Sequence, residues 1–113
     1  MRKLLKSKIS RAIVTDSNIE YEGSIGIDKK LMDKADLWEN EKVLVISNSS
    51  GKRLETYVIP EEANSRKIVI NGGAAKKIGK KEEITILSFA SRSSPYKPKK
   101  ISVNESNEFL KSY

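Results

Sequence analysis

Hydroxyls, amines, guanidinium groups, carboxylates and backbone atoms are the chemical tools of this chain, because its 113 residues include no histidine and no cysteine. A Ser-His-Asp triad, an imidazole or thiolate metal ligand, a cysteine nucleophile and a disulfide framework are thereby excluded. Any catalysis has to use Ser, Thr, Tyr, Lys, carboxylates, backbone groups or a cofactor. Two segments hold the candidates: Tyr21-Glu22-Gly23-Ser24-Ile25-Gly26-Ile27-Asp28 and Gly51-Lys52-Arg53-Leu54-Glu55-Thr56-Tyr57. Taken singly, each residue has an ordinary reading. Gly23-Ser24 is a turn entering a strand, Thr56 and Tyr57 are strand residues, and Arg53 and Lys8 are surface charges.

The elements that would position these groups are short. Lys8 to Val14, rich in β-branched residues, reads as a strand, and a turn follows at Thr15 to Asn18. Ser24 to Ile27 is extended, and Asp28 can cap a helix over Lys29 to Ala35, where Leu31, Met32 and Ala35 fall at helical spacing. Lys42 to Ile46 and Arg53 to Ile59 read as the strands of a hairpin around a polar turn. Pro60 to Ser65 breaks the pattern, Lys67 to Ile70 is another strand, and Asn71-Gly72-Gly73 leads into a short helix over Ala74 to Ile78 that Gly79 can end. Glu83 to Phe89 and Ile101 to Val103 complete the strands. Asn104 to Tyr113 has no periodic signal and reads as a frayed or loosely docked tail. The tally is a mainly β domain over residues 1–113, a small β-barrel with helical decoration.

Composition narrows the class without choosing a function. A hydrophobic fraction of 37% is lean for a self-sufficient core, which points to burial between subunits. No stretch is apolar enough for a bilayer, and the apolar run after Met1-Arg2-Lys3 stops at two residues, so a cytoplasmic location away from membranes is expected. The net charge of +7 is compatible with an acidic small molecule or with nucleic acid. Lys76, Lys77, Lys80 and Lys81 read as a solvated helix end, where cations complement the dipole. A basic β-barrel binding nucleic acid is the alternative function. Against it, the aromatic residues are few and scattered, with no stacking pair.

Several segments, in order along nearly the whole chain, resemble the pyruvoyl-dependent aspartate decarboxylase family. They are Ser7-Lys8-Ile9-Ser10-Arg11, the Tyr21–Asp28 segment, Glu39-Asn40-Glu41, the Gly51–Tyr57 segment, Asn71-Gly72-Gly73-Ala74-Ala75 and Pro98-Lys99-Lys100-Ile101-Ser102-Val103. The resemblance implies a six-stranded double-psi β-barrel with short helices. It further implies a homotetramer with sites between subunits, and conversion of L-aspartate to β-alanine and carbon dioxide for pantothenate synthesis. A maturation helper protein is a possible partner, and no metal is implied.

Decarboxylating an α-amino acid needs an electron acceptor, which a carbonyl condensed with the substrate amine can supply. The resemblance implies that Ser24 becomes this carbonyl, as a pyruvoyl group, when the chain cleaves itself after Gly23 into residues 1–23 and 24–113. Gly23 is expected to permit close backbone approach, and the match nominates Thr56 as donor to the oxyanion of cleavage. Tyr57 matches the family's proton donor. Arg53, with its bidentate fork, and Lys8, a point charge, are the expected cations for the substrate carboxylates. Thr56, Asn71 and the backbone of Gly72, Gly73 and Ala74 complete the expected substrate contacts. Three departures stand out: Ser10 and Ile46 fall where some members have His and Trp, and Gly73 falls where Ala is expected. A member of the same fold that never matures is a third reading.

Overall fold

The computed structural model describes every residue from Met1 to Tyr113. Nine strands form one mixed sheet: β1 (Arg2–Ile13), β2 (Asp16–Asn18), β3 (Ser24–Asp28), β4 (Lys42–Ser47), β5 (Arg53–Glu61), β6 (Ile68–Asn71), β7 (Glu83–Arg92), β8 (Lys99–Val103) and β9 (Phe109–Ser112). One α-helix, α1 (Lys29–Ala35), and a 3₁₀ turn at Gly72–Lys76 complete the chain. The strand order is β2-β6-β3-β5-β4-β7-β1-β8-β9.

The mainly β class holds, while the ladders differ from a closed six-stranded barrel. β2 and β9 are the two edges, and no ladder joins them. The wrap is made covalently instead. Only Val14 and Thr15 separate β1, near one end of the order, from β2 at the other, and both are tied down on the way. Val14 N donates to Glu82 O at 3.0 Å and Thr15 N to Ile68 O at 2.8 Å.

Inside the wrap lies a cluster of 19 buried hydrophobic residues, among them Ile9, Ile25, Ile27, Val58, Ile68, Ile70, Ile84, Ile86 and Ile101. Full burial of such a side chain contributes about 1.5–3 kcal/mol. The alternation that supplies them is clearest in β4 and β7, whereas β3 is buried at all five positions. β3 pairs on both sides, parallel with β5 and antiparallel with β6.

Asp28 fixes the far end of β3. Its carboxylate accepts from Lys30 N at 2.9 Å, capping α1, and also from Asn64 N at 2.9 Å and Arg66 N at 2.8 Å in the loop before β6. The helix bounds match the expected ones, and Asp36 ends the helix in the left-handed region at φ 57°.

Other elements differ from the expectation for identifiable reasons. β1 begins at Arg2, because Arg2 to Leu5 pair in register with Arg92 to Phe89 of β7; two register shifts follow, between Leu5 and Ser7 and between Ile9 and Ala12. β5 runs through Pro60, which pairs with Ile27 of β3 beyond the last β4 partner, so the missing N–H breaks no β4 ladder. The expected helix over Ala74 to Ile78 is a 3₁₀ turn starting at Gly72, with Lys77 rather than Gly79 at its end. Gly79 N donates instead to Glu82 Oε2 at 2.6 Å.

The largest difference is the tail, which is docked. β9 pairs antiparallel with β8, and Asn107 is buried with both ends of its amide used. Its Oδ1 accepts from Ile13 N at 2.7 Å, and its Nδ2 donates to Ile13 O at 2.8 Å and Arg66 O at 3.0 Å.

Candidate active site

Ser24 opens β3 and is buried, 1% exposed, while Gly23 immediately before it is exposed. Its direct partner across the antiparallel ladder is Asn71, the last residue of β6, also buried. Asn71 Nδ2 donates to Ser24 Oγ at 2.9 Å. This bond fixes the hydroxyl oxygen in a buried position.

The next residue, Gly72, adopts φ +70° and turns the chain toward the Gly23 segment. A Cβ at Gly72 would sit 2.7 Å from Gly23 N, 2.8 Å from Gly23 Cα and 2.9 Å from Tyr21 O, distances no side chain tolerates. Gly72 is therefore required twice, by its backbone angle and by the close approach. At Gly23 a Cβ would meet nothing within 4 Å. The expected steric demand at Gly23 thus falls on Gly72, because it is the turn after β6 that presses on the junction. Gly73 also has open space around a Cβ, so an Ala would fit there.

β5 supplies the other flank. Extending its parallel register with β3, Ile25 opposite Val58, back by two residues sets Ser24 level with Tyr57 and Gly23 level with Thr56. Alternation along β5 puts Leu54, Thr56 and Val58 toward the core and Arg53, Glu55 and Tyr57 on the outer face. Tyr57 is 37% exposed. Ser24, Thr56, Tyr57, Asn71 and Gly72 therefore meet at one corner, with Gly73 and half-buried Ala74 following in the 3₁₀ turn.

Neither expected substrate cation is paired with that corner in the sheet. Arg53 lies four residues before Tyr57, about 13 Å along the strand at ~3.3 Å per residue. Lys8 is on β1, which β5, β4 and β7 separate from β3 in the sheet order. It pairs with Leu87 of β7 and Lys100 of β8. Ser10, two residues on, exchanges a hydroxyl hydrogen bond with Tyr113 at 2.5 Å. Ile46 pairs with Arg53 and Thr85. No group of three or more acidic residues gathers as a metal-ligand set would require.

Sequence reasoning read Asp28 as a helix cap and Gly72 as a substrate contact, and missed that Asp28 also anchors the end of β3 and that Gly72 is the sterically crowded glycine. Away from this corner, it also missed Tyr113 over Ser10. Nothing local announces the contact between Ser10 and Tyr113, which are 103 residues apart.

The titratable side chain whose ionisation is clearly displaced lies elsewhere. Glu82 is held below the ordinary carboxylate range, first by the hydrogen bond from Gly79 N, then by that from Ser47 Oγ at 2.7 Å; Lys52 assists, and partial burial opposes.

The fold and this corner define a class: a small mainly β chain whose buried serine opens a central strand directly after an exposed glycine. The aspartate decarboxylase family matches residues 1–110, and the chain belongs to that family. It is 47% identical over 108 residues to the aspartate 1-decarboxylase of Clostridium botulinum strain Alaska E43, covering 92% of this chain and 87% of that one. Identity to the aspartate 1-decarboxylase of Thermosipho africanus is 49% over 109 residues, covering 95% and 91%. For that of Thermoanaerobacter pseudethanolicus it is 48% over 111 residues, covering 95% of each. These matches give the nucleic-acid alternative no support. No helix of the chain is long and apolar enough to cross a membrane.

Proposed function

We propose that this chain is an enzyme that decarboxylates L-aspartate to β-alanine and carbon dioxide after cleaving itself between Gly23 and Ser24. The observation that carries the reading is the buried Ser24 hydroxyl, held at 2.9 Å by Asn71 and adjoining a glycine on which Gly72 closes, in a chain of this family.

Cleavage uses the chain's own groups. Ser24 Oγ attacks the Gly23 carbonyl carbon; the C–O bond forms, the C–N bond breaks, and the amide becomes an ester with a free amine on residue 24. Thr56, level with Gly23 on β5, supplies the donor for the oxyanion of that shift. Elimination releases the Gly23 carboxylate, and water then displaces ammonia to leave a ketone on residue 24. Burial at this position suits such a group, since it keeps bulk water from the site once cleavage is complete. When present, the pyruvoyl group supplies the electron acceptor that decarboxylation requires.

The remaining residues bind substrate and move a proton. Tyr57, level with residue 24 on the outer face of β5, protonates the α-carbon after carbon dioxide leaves. Asn71 and the backbone of Gly72, Gly73 and Ala74 border the substrate. Arg53 and Lys8 pair with its carboxylates, and their distance from Ser24 along the sheet favours a site completed by a second copy. Exposed Trp38, Phe89 and Leu110, at 75%, 48% and 57%, offer apolar surface for assembly into the homotetramer. A helper protein for maturation, a cytoplasmic setting and supply of β-alanine to pantothenate synthesis belong to the same reading and rest on the family resemblance.

Intact-mass measurement on purified protein tests it. The expected result is two chains, residues 1–23 and 24–113, with β-alanine accumulating from L-aspartate. A chain of full mass that produces β-alanine, or a cleaved one that produces none, overturns the proposal.

A further inference from the structure

The C-terminal hairpin gathers cations for which the decarboxylation chemistry has no use. α1, the segment leading into β8, and the end of β9 surround a cavity of about 370 Å³ lined by Lys34, Lys97, Lys99, Lys100, Ser112 and Tyr113, with no Asp or Glu side chain. None of the four lysines forms an ion pair; the chain's ion pairs use Lys6, Lys29, Lys42 and Arg66. Parallel pairing also sets Lys8, one of the two cations proposed for the aspartate carboxylates, directly beside Lys100. Like charges at paired sheet positions repel, and none of the chain's ion pairs involves Lys8 or Lys100.

Two of the four lysines are held by contacts that leave their ammonium donors free. Lys34 Nζ lies 4.6 Å from the Phe109 ring centroid and Lys100 Nζ lies 5.0 Å from that of Tyr113. Such contacts hold a cation through the ring face without consuming its N–H groups. Tyr113 is itself held at both ends, by its hydroxyl on Ser10 and by its backbone N–H on Lys100 O at 3.0 Å.

We propose that this cavity binds a small phosphorylated molecule. Ammonium groups are compact point charges with three donors each, suited to an anion with several oxygens in different directions, whereas the planar fork that selects carboxylates belongs to arginine. No arginine lines the cavity. Its volume falls in the range of about 300–1,000 Å³ usual for small-ligand sites and exceeds what a bare phosphate fills.

Calorimetric titration of the full chain with inorganic pyrophosphate, at about 50 mM salt to limit screening, tests the proposal. Saturable binding at one site per chain is expected. The double variant Lys97→Gln/Lys99→Gln should weaken it at least about tenfold, whereas Lys76→Gln/Lys77→Gln, which removes the same charge from the exposed 3₁₀ end, should leave it within about twofold. Absence of saturation, or equal weakening by the two doubles, would overturn the site. Succinate binding as tightly as pyrophosphate would overturn the phosphate class.

Discussion

The corner around Ser24 and the cationic positions Lys8 and Arg53 are built in opposite ways. The corner is assembled within one copy: β6 delivers Asn71 to Ser24, the turn after it brings Gly72 against Gly23, and β5 runs alongside with Thr56 and Tyr57. The cations lie elsewhere in the ladders: Arg53 opens β5 opposite Ile46 of β4, and Lys8 sits on β1 between Leu87 and Lys100. On the proposed function, the groups for cleavage lie together in one folded chain, whereas the two cations for the aspartate carboxylates come from a neighbour. Self-cleavage and turnover should then separate under mutation.

The largest separation is expected at Tyr57. Tyr57→Phe should cleave as the parent does and lose about 10²–10⁴-fold in kcat, the usual worth of a positioned proton donor. Mass spectrometry and β-alanine production read the two effects independently, and parental turnover would remove Tyr57 from its role.

Next come the cations. Lys8→Ala and Arg53→Ala should each mature fully and raise KM for aspartate about 10–100-fold, equivalent to one charged hydrogen bond. Unfolding and refolding Lys8→Ala together with Ser24→Ala should recover part of the activity lost in each, because mixed assemblies contain intact sites. No recovery from mixtures shown to be mixed would place the whole site in one copy.

A smaller effect distinguishes two adjacent glycines. Gly72→Ala should destabilise the chain by about 1–3 kcal/mol, from its left-handed backbone and the contact with Gly23, and should slow cleavage. Gly73→Ala, with open space around it, should stay within about 0.5 kcal/mol by denaturant titration. Equal costs would contradict the packing at the junction.

Glu82 should give the smallest effect and belongs to neither region. Its carboxyl is depressed in the folded state, so its contribution is present above the unfolded pKa of about 4.3 and is lost as pH falls through the lower folded value. Glu82→Gln should therefore cost about 1 kcal/mol near neutrality, with the gap to the parent closing in acid and cleavage unchanged. A gap independent of pH would mean that its ionised form is not what stabilises the fold.

Segments governed by local chemistry were legible from residue types alone. Asp28 before Leu31, Met32 and Ala35 specifies a capped, one-faced helix, and the apolar runs around Val43, Val58, Ile70 and Ile86 specify strands, because capping and periodicity act over a few residues. Motif order along the chain pointed to the candidate residues. Their grouping was not legible, since pairing of β3 with both β5 and β6 is a long-range event.

By itself, then, the sequence determined the cores of seven strands, the helix and its cap, and the exclusion of histidine and cysteine chemistry; it read β2 as a turn and β9 as a loose tail, because both are held by pairing with distant strands. Tertiary structure decided that the tail docks through Asn107, that the sterically crowded glycine is Gly72 rather than Gly23, and that Lys8 and Arg53 pair with strand positions other than Ser24. Each of these depends on which distant backbones meet, and a pattern read over neighbouring residues carries no record of that.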